Sequence, residues 1–239
     1  MVPTHIVIAM NAVERLRKNF RRPSKVLRLL KALARKSLFF SDISRIARMD
    51  DSLTNYYLSR LLSLGIVEKT DLGTYALRIK VPFCYLEDEI SEYTYLGLLG
   101  RRHYHEEPET KTATNILGGK GYNIVEIKVI TTRSAVDNWS SEVIGDYDLV
   151  IVDEKDIVSI SSMEDVITGI LERLILRRPV IMDCTSLTKP ATIAMYNVAR
   201  RYLVPLIYVY EADRQIHWII TQREIRDCLC EMFPESQES

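Results

Sequence analysis

The sequence predicts an α/β protein in two parts, with three helices and a short β-hairpin ahead of a mainly parallel sheet flanked by helices. Two observations carry this. Strand-like and helix-like segments alternate from Tyr93 onward, and the run Leu149-Val150-Ile151-Val152 is apolar on both faces, as a strand covered on both sides must be. A third observation divides the chain. Its 239 residues carry 32 Lys+Arg and 32 Asp+Glu, yet residues 1–80 hold 16 of the basic residues and only 6 of the acidic ones. That leaves a net +10 ahead of position 80 and −10 behind it. Such a split points to one half meeting a polyanion while the other half does something else.

Apolar residues make up 47% of the chain, enough for two packed cores. The apolar stretch Ile6–Met10 is too short for a signal peptide or a membrane span, so a cytoplasmic protein without a membrane partner is expected. Cys84, Cys184, Cys228 and Cys230 form no CxxC pair, and the histidines supply no zinc-finger spacing. Free thiols in a reducing compartment follow.

In the first half, Ser24 to Ser37 reads as a helix, with Pro23 ahead and Val26, Leu27, Leu29, Leu30, Leu33 and Ala34 on one side. Ser41 is positioned to cap a second, short helix whose Ile43, Ile46 and Ala47 face inward. After Met49-Asp50-Asp51, a third helix capped by Asp51 or Ser52 runs to Leu64 and ends at Gly65. Ile66–Lys69 and Thr74–Arg78 alternate as two strands around Asp71-Leu72-Gly73. The expected product is a winged helix-turn-helix within residues 1–80. Residues 1–20 form an extra amino-terminal segment in which Ala9–Phe20 could be a helix and a dimer contact.

The run from Ser52 to Glu68, beginning Ser52-Leu53-Thr54-Asn55-Tyr56-Tyr57-Leu58-Ser59-Arg60, resembles the recognition helix and first wing strand of archaeal and bacterial winged-helix regulators. Leu53, Leu58, Leu61 and Leu64 are expected to pack inward. Ser52, Thr54, Asn55, Tyr56, Ser59 and Arg60 are then left for the major groove of double-stranded DNA, where Asn suits adenine and Arg suits guanine. Arg21, Arg22, Lys25, Arg45, Arg48, Lys69 and Arg78 are the expected phosphate clamps.

Residues 81–92, with Pro82 and the acidic run Glu87-Asp88-Glu89, read as a linker, and 93–239 as the second domain. Strands are expected at Tyr93–Leu99, Asn123–Thr131, Leu149–Val152, Val180–Asp183, Leu206–Tyr210 and Ile216–Ile220. Helices are expected at Glu109–Leu117, Ala135–Ile144, Met163–Leu176, Ala191–Leu203 and Glu224–Met232. This is a Rossmann-like pattern, with a carboxy-terminal hairpin expected to close it. Ligands in such sheets lie beyond the carboxyl ends of the strands. Those ends bring Gly100, Arg101 and Arg102 together with Thr131, Thr132 and Arg133, and with Thr185, Ser186, Thr188 and Lys189. Basic groups, hydroxyls and a helix amino end suit a phosphate-bearing ligand. Turn and cap duty is the other reading of the threonines and serine. No GxGxxG follows the first strand, and Gly118-Gly119-Lys120-Gly121 lies between a helix and a strand, so neither a dinucleotide nor ATP hydrolysis is indicated.

The segment from Asp183 to Ala194, Asp183-Cys184-Thr185-Ser186-Leu187-Thr188-Lys189-Pro190-Ala191-Thr192-Ile193-Ala194, resembles the fourth-strand motif of CARF domains (CRISPR-associated Rossmann fold). Where that family often has a glycine pair before Thr-Lys, this chain has Ser186-Leu187. The resemblance implies a homodimer binding a cyclic oligoadenylate, with Thr185, Ser186, Thr188 and Lys189 on one side and Gly100, Arg101 and Arg102 on the other. It also implies an alternative, a ring nuclease using Lys111, Lys189 and Ser186. His103, His105, Glu106 and Glu107 are the only cluster suited to a metal, and acidic residues at a helix start explain part of it. No metal or other cofactor is expected. The function expected is a transcription regulator switched by a nucleotide second messenger; a constitutive DNA-binding protein is the further alternative.

Overall fold

A computed structural model describes residues 9–20, 23–87, 89–101, 107–139, 145, 147–210 and 214–233. The chain divides into two compact units, one of Met1–Ile90, Ile175–Arg177 and Arg223–Ser239, the other of Ser91–Leu174 and Arg178–Gln222. The second half expected from the sequence is therefore not one body to its end, because its last helix belongs with the first unit. Among the described residues, no helix is long and apolar enough to cross a membrane.

The first unit is a winged helix. Helices α1 (Ala9–Asn19), α2 (Pro23–Arg35), α3 (Phe40–Ala47) and α4 (Asp51–Ser63) precede strands β1 (Val67–Lys69) and β2 (Tyr75–Leu77). The strands pair antiparallel from Val67 opposite Leu77 to Lys69 opposite Tyr75, and an isolated antiparallel bridge joins Leu38 to Tyr75. On α4 the inward residues Thr54, Tyr57, Leu58 and Leu61 follow helical spacing. Gly65 ends the helix at φ +67, and the Ile66 amide donates back to the Leu61 carbonyl at 3.1 Å, which satisfies an otherwise orphaned acceptor.

Three local expectations are corrected. The α4 cap is Asp50, whose carboxylate accepts from the Leu53 amide at 2.8 Å, rather than Asp51 or Ser52. Ser41 does not cap α3; Phe39 holds that position without a side-chain bond. Ile46 is 51% exposed instead of inward. Ser44 takes the inner flank beside Ile43 and Ala47, with its hydroxyl returned to the Phe40 carbonyl at 3.3 Å.

The stretch read as a linker also differs. Val81 to Glu87 is buried and includes a 3-10 turn, Phe83–Leu86, in the core of the first unit. Its carbonyls are met by Arg226 of α9 (Gln222–Met232, numbering the helices described), whose guanidinium donates to Tyr85 at 3.0 Å and Glu87 at 2.8 Å.

The second unit is a six-stranded sheet of β3 (Tyr93–Leu99), β4 (Ile124–Thr132), β5 (Asp148–Val152), β6 (Val180–Asp183), β7 (Leu206–Tyr210) and β8 (Gln215–Ile220). Their order across the sheet is β5-β4-β3-β6-β7-β8. All neighbours are parallel except β7 and β8, the expected hairpin. The connecting helices are α5 (Glu109–Gly119), α6 (Arg133–Val136), α7 (Ile160–Leu174) and α8 (Lys189–Tyr202). The far end of the helix expected to Ile144 lies outside the described residues. Glu164 of α7 ties α8 through Asn197 and Arg201, each at 2.7 Å. Strand order reverses between β3 and β6, so the crevice beyond their carboxyl ends is where such a sheet places a ligand.

Candidate nucleic-acid interface and ligand pocket

On α4, Ser52, Asn55, Tyr56, Ser59 and Arg60 are exposed along one side, while Thr54 is fully buried. Thr54 is thus removed from the groove-facing set. It stands on the same helical stripe as Tyr57, Leu58 and Leu61, and helical spacing leaves it no route outward. Arg45, Arg48, Lys69 and Arg78 are exposed on the same unit. Arg45 spends part of its charge on Asp42, at 2.6 Å, and Lys69 lies 5.9 Å from the centre of the Tyr75 ring. Lys25 is half-buried. Arg21 and Arg22 lie outside the described residues.

In the second unit a cavity of about 410 Å³ is lined by Gly100, Arg101, Thr132, Thr185, Ser186 and Thr188 from the expected set, together with Glu109, Glu154, Ile157 and Leu187 from outside it. Its walls come from the residues after β3, β4, β5 and β6, at the reversal of strand order. Thr131 does not reach it: the side chain is fully buried and donates to the Leu99 carbonyl at 2.9 Å. Arg133 and Lys189, exposed at the first turns of α6 and α8, are not among its lining. Arg102 lies outside the described residues.

Several polar groups of the pocket wall are bonded to one another. Gly100 is held at both peptide groups, its amide donating to Ser186 Oγ at 2.8 Å and its carbonyl accepting from Trp139 Nε1 at 3.0 Å. A Cβ on Gly100 would lie 3.1 Å from Ser186 Oγ and 3.2 Å from the Leu187 amide nitrogen, tighter than most contacts of its kind. Thr185 donates to Asp183 and accepts from the Val209 amide at 2.8 Å. Thr188 caps α8, accepting from the Ala191 amide, and donates to the Ile157 carbonyl. Both threonines perform turn and cap work. Leu187 has φ +78, the left-handed backbone that glycine adopts most readily. The turn therefore keeps the glycine geometry with a leucine in it.

Charge in the pocket departs from the expected basic edge. Among its described lining residues, Arg101 is the single cation and faces Glu109 and Glu154. Arg101 donates to Ser134 Oγ at 3.0 Å and approaches Glu154 at 3.6 Å. Hydrogen bonds from Ser134 and Thr132 hold the Glu154 carboxyl below the usual carboxylate range, with Arg101 adding to them. Behind the wall, burial pushes Asp183 up to about 6, against the opposing bonds from Thr185 and Tyr95, the latter at 2.5 Å.

The two lysines proposed for ring cleavage are not in the lining; Lys111 pairs with Glu107 at 3.0 Å. Among the described residues no group of His, Cys, Asp or Glu could hold a metal ion. His103, His105 and Glu106 lie outside those residues. Cys84 and Cys184 are buried, and burial raises the Cys184 thiol to about 12.

Residues 23–69, from α2 to β1, match the family model of the arsR family of bacterial regulatory proteins. No curated protein matches the chain. Among solved structures, Can2 from Sulfobacillus thermosulfidooxidans, in complex with cyclic tetra-adenylate, shares 16% identity over 53% of this chain and 34% of its own, with a TM-score of 0.40. Protein VC1899 from Vibrio cholerae shares 16% over 54% of this chain and 34% of its own, at 0.41. Enterococcus italicus Csm6, bound to cyclic hexa-2'-fluoro-hexa-dAMP, shares 11% over 63% of this chain and 41% of its own, at 0.41. The chain spans about a third of the length of the first two.

Proposed function

We propose that the protein is a homodimeric, DNA-binding transcription regulator whose α/β unit senses a nucleotide of the cyclic oligoadenylate class. The observation that carries the sensing half is the locked junction of Gly100 with Ser186 and Leu187, which shapes a cavity of about 410 Å³ where the strand order reverses. The positive end of the α8 dipole lies at Thr188, which lines the cavity, and suits a phosphate there, although Pro190 carries no N–H and the Ala191 amide is already taken by Thr188. Arg101 supports the same group. Glu109 and Glu154 would take the donors of the ligand, ribose hydroxyls or the adenine amino group, because ionised carboxylates only accept hydrogen bonds. The charge excess of residues 1–80 and the exposed row on α4 support double-stranded DNA as the other partner. A dimer presents two such helices to a palindromic site.

Calorimetry of the full chain against cyclic tetra-adenylate and cyclic hexa-adenylate tests the sensing half. One of the two should give saturable binding, and Gly100→Ala should weaken it by about tenfold or more, equivalent to about 1.4 kcal/mol. Absence of binding to either ring, or a variant that binds as wild type does, would remove the assignment.

A further inference from the structure

The amino-terminal helix and the residue after it reach α4 and its carboxyl end. Its Ala12, Val13 and Leu16 are buried, and the Phe20 ring lies 5.6 Å from that of Tyr57 on α4. Arg15 donates to the Leu64 carbonyl at 3.2 Å, just past the end of α4. Asn19 completes the link. Its Nδ2 donates to the Arg15 carbonyl at 2.8 Å, and its Oδ1 accepts from a terminal nitrogen of Arg60 at 2.9 Å. The two neighbours can each play only one part, a carbonyl that accepts and a guanidinium that donates, so the orientation of the amide is fixed.

We infer that Asn19 is a positioning residue for Arg60, and that α1 is part of the DNA-reading surface; this rests on the DNA-binding reading above. Arg60 is exposed and carries five N–H donors, of which Asn19 uses one. The others keep the forked geometry that matches two acceptors of guanine or of a phosphate. An arginine ordered before DNA arrives loses less rotamer freedom on binding, and its direction is set by the protein rather than by the first anion it meets. Tyr56 and Ser59 flank it on the exposed side of α4, so a shift of the guanidinium changes which base edge it reaches.

The test is a double-mutant cycle with full-length protein. The duplex that wild type enriches from a randomised pool is compared with the unselected pool by fluorescence anisotropy. Asn19→Ala should weaken the selected duplex by about three- to tenfold while the unselected pool changes little, since positioning affects the specific contact. In an Arg60→Ala background, Asn19→Ala should add nothing. Thermal unfolding midpoints for all four proteins register any fraying of α1, which would lower affinity in both backgrounds. Additive losses, or equal losses on selected and unselected DNA, would overturn the role of Asn19 while leaving DNA binding intact. Failure of wild type to bind any duplex would overturn both.

Discussion

Asp183 closes β6 with its carboxyl enclosed beside Tyr95 and Thr185, and burial lifts its pKa from 3.8 to about 6. A carboxyl with a higher pKa in the folded chain binds protons more tightly there than in the unfolded one. Native stability from this group is therefore present below pH 4 and declines as pH rises to about 6. The shift corresponds to about 3 kcal/mol as an upper estimate. Asp183→Asn has no such titration, so the difference in unfolding free energy between variant and wild type should move in favour of the variant across that window. Chemical denaturation at several pH values checks this, and parallel curves would contradict it. The sequence marked Asp183 as a strand end, but nothing in it revealed the enclosure, which depends on Tyr95 arriving from a strand 88 positions away. Leu187 was equally illegible: leucine gives no local sign of a left-handed backbone, whose cost is about 1–2 kcal/mol. Glu109 and Glu154 were missed as pocket residues because each is ordinary in its own segment, one opening a helix and the other following a strand.

Elements with strong periodicity were read closely. The strands Tyr93–Leu99, Val180–Asp183 and Leu206–Tyr210 match their expected bounds, since runs apolar on both faces leave few alternatives. Helix α3 has eight residues, too few turns for the pattern to distinguish Ile46 from Ser44 as the inward neighbour. Expected caps differ from the observed ones by one or two residues where several candidates adjoin, as in Asp50-Asp51-Ser52. The two assignments separate cleanly by mutation: Asp50→Ala should destabilise the first unit by about 1 kcal/mol, and Ser52→Ala by a few tenths at most. Thermal melts of the two variants decide it; equal effects would return the cap to the neighbouring residues. The 3-10 turn at Phe83–Leu86 was hidden by its surroundings. Pro82 and the acidic run beyond it suggested a linker, yet Phe83, Tyr85 and Leu86 are all fully or almost fully buried.

At the scale of the whole molecule, the boundary between the two units does not follow the charge split of the sequence. The chain leaves the first unit at Ile90, belongs to it again over Ile175–Arg177, and returns to it at Arg223. Amphipathic spacing shows that Gln222–Met232 has an apolar face; it cannot show which core that face joins. If the proposed switch operates, a ligand in the second unit changes DNA affinity in the first, by an amount set by its differential affinity for the two states. The most direct measurement is the affinity of the full chain for its selected duplex at low salt, with and without saturating cyclic tetra-adenylate or cyclic hexa-adenylate. A change of about fivefold or more with one of the rings, in either direction, is the expected result. Ligand binding that leaves DNA affinity unmoved, or no duplex binding under any condition, would contradict it.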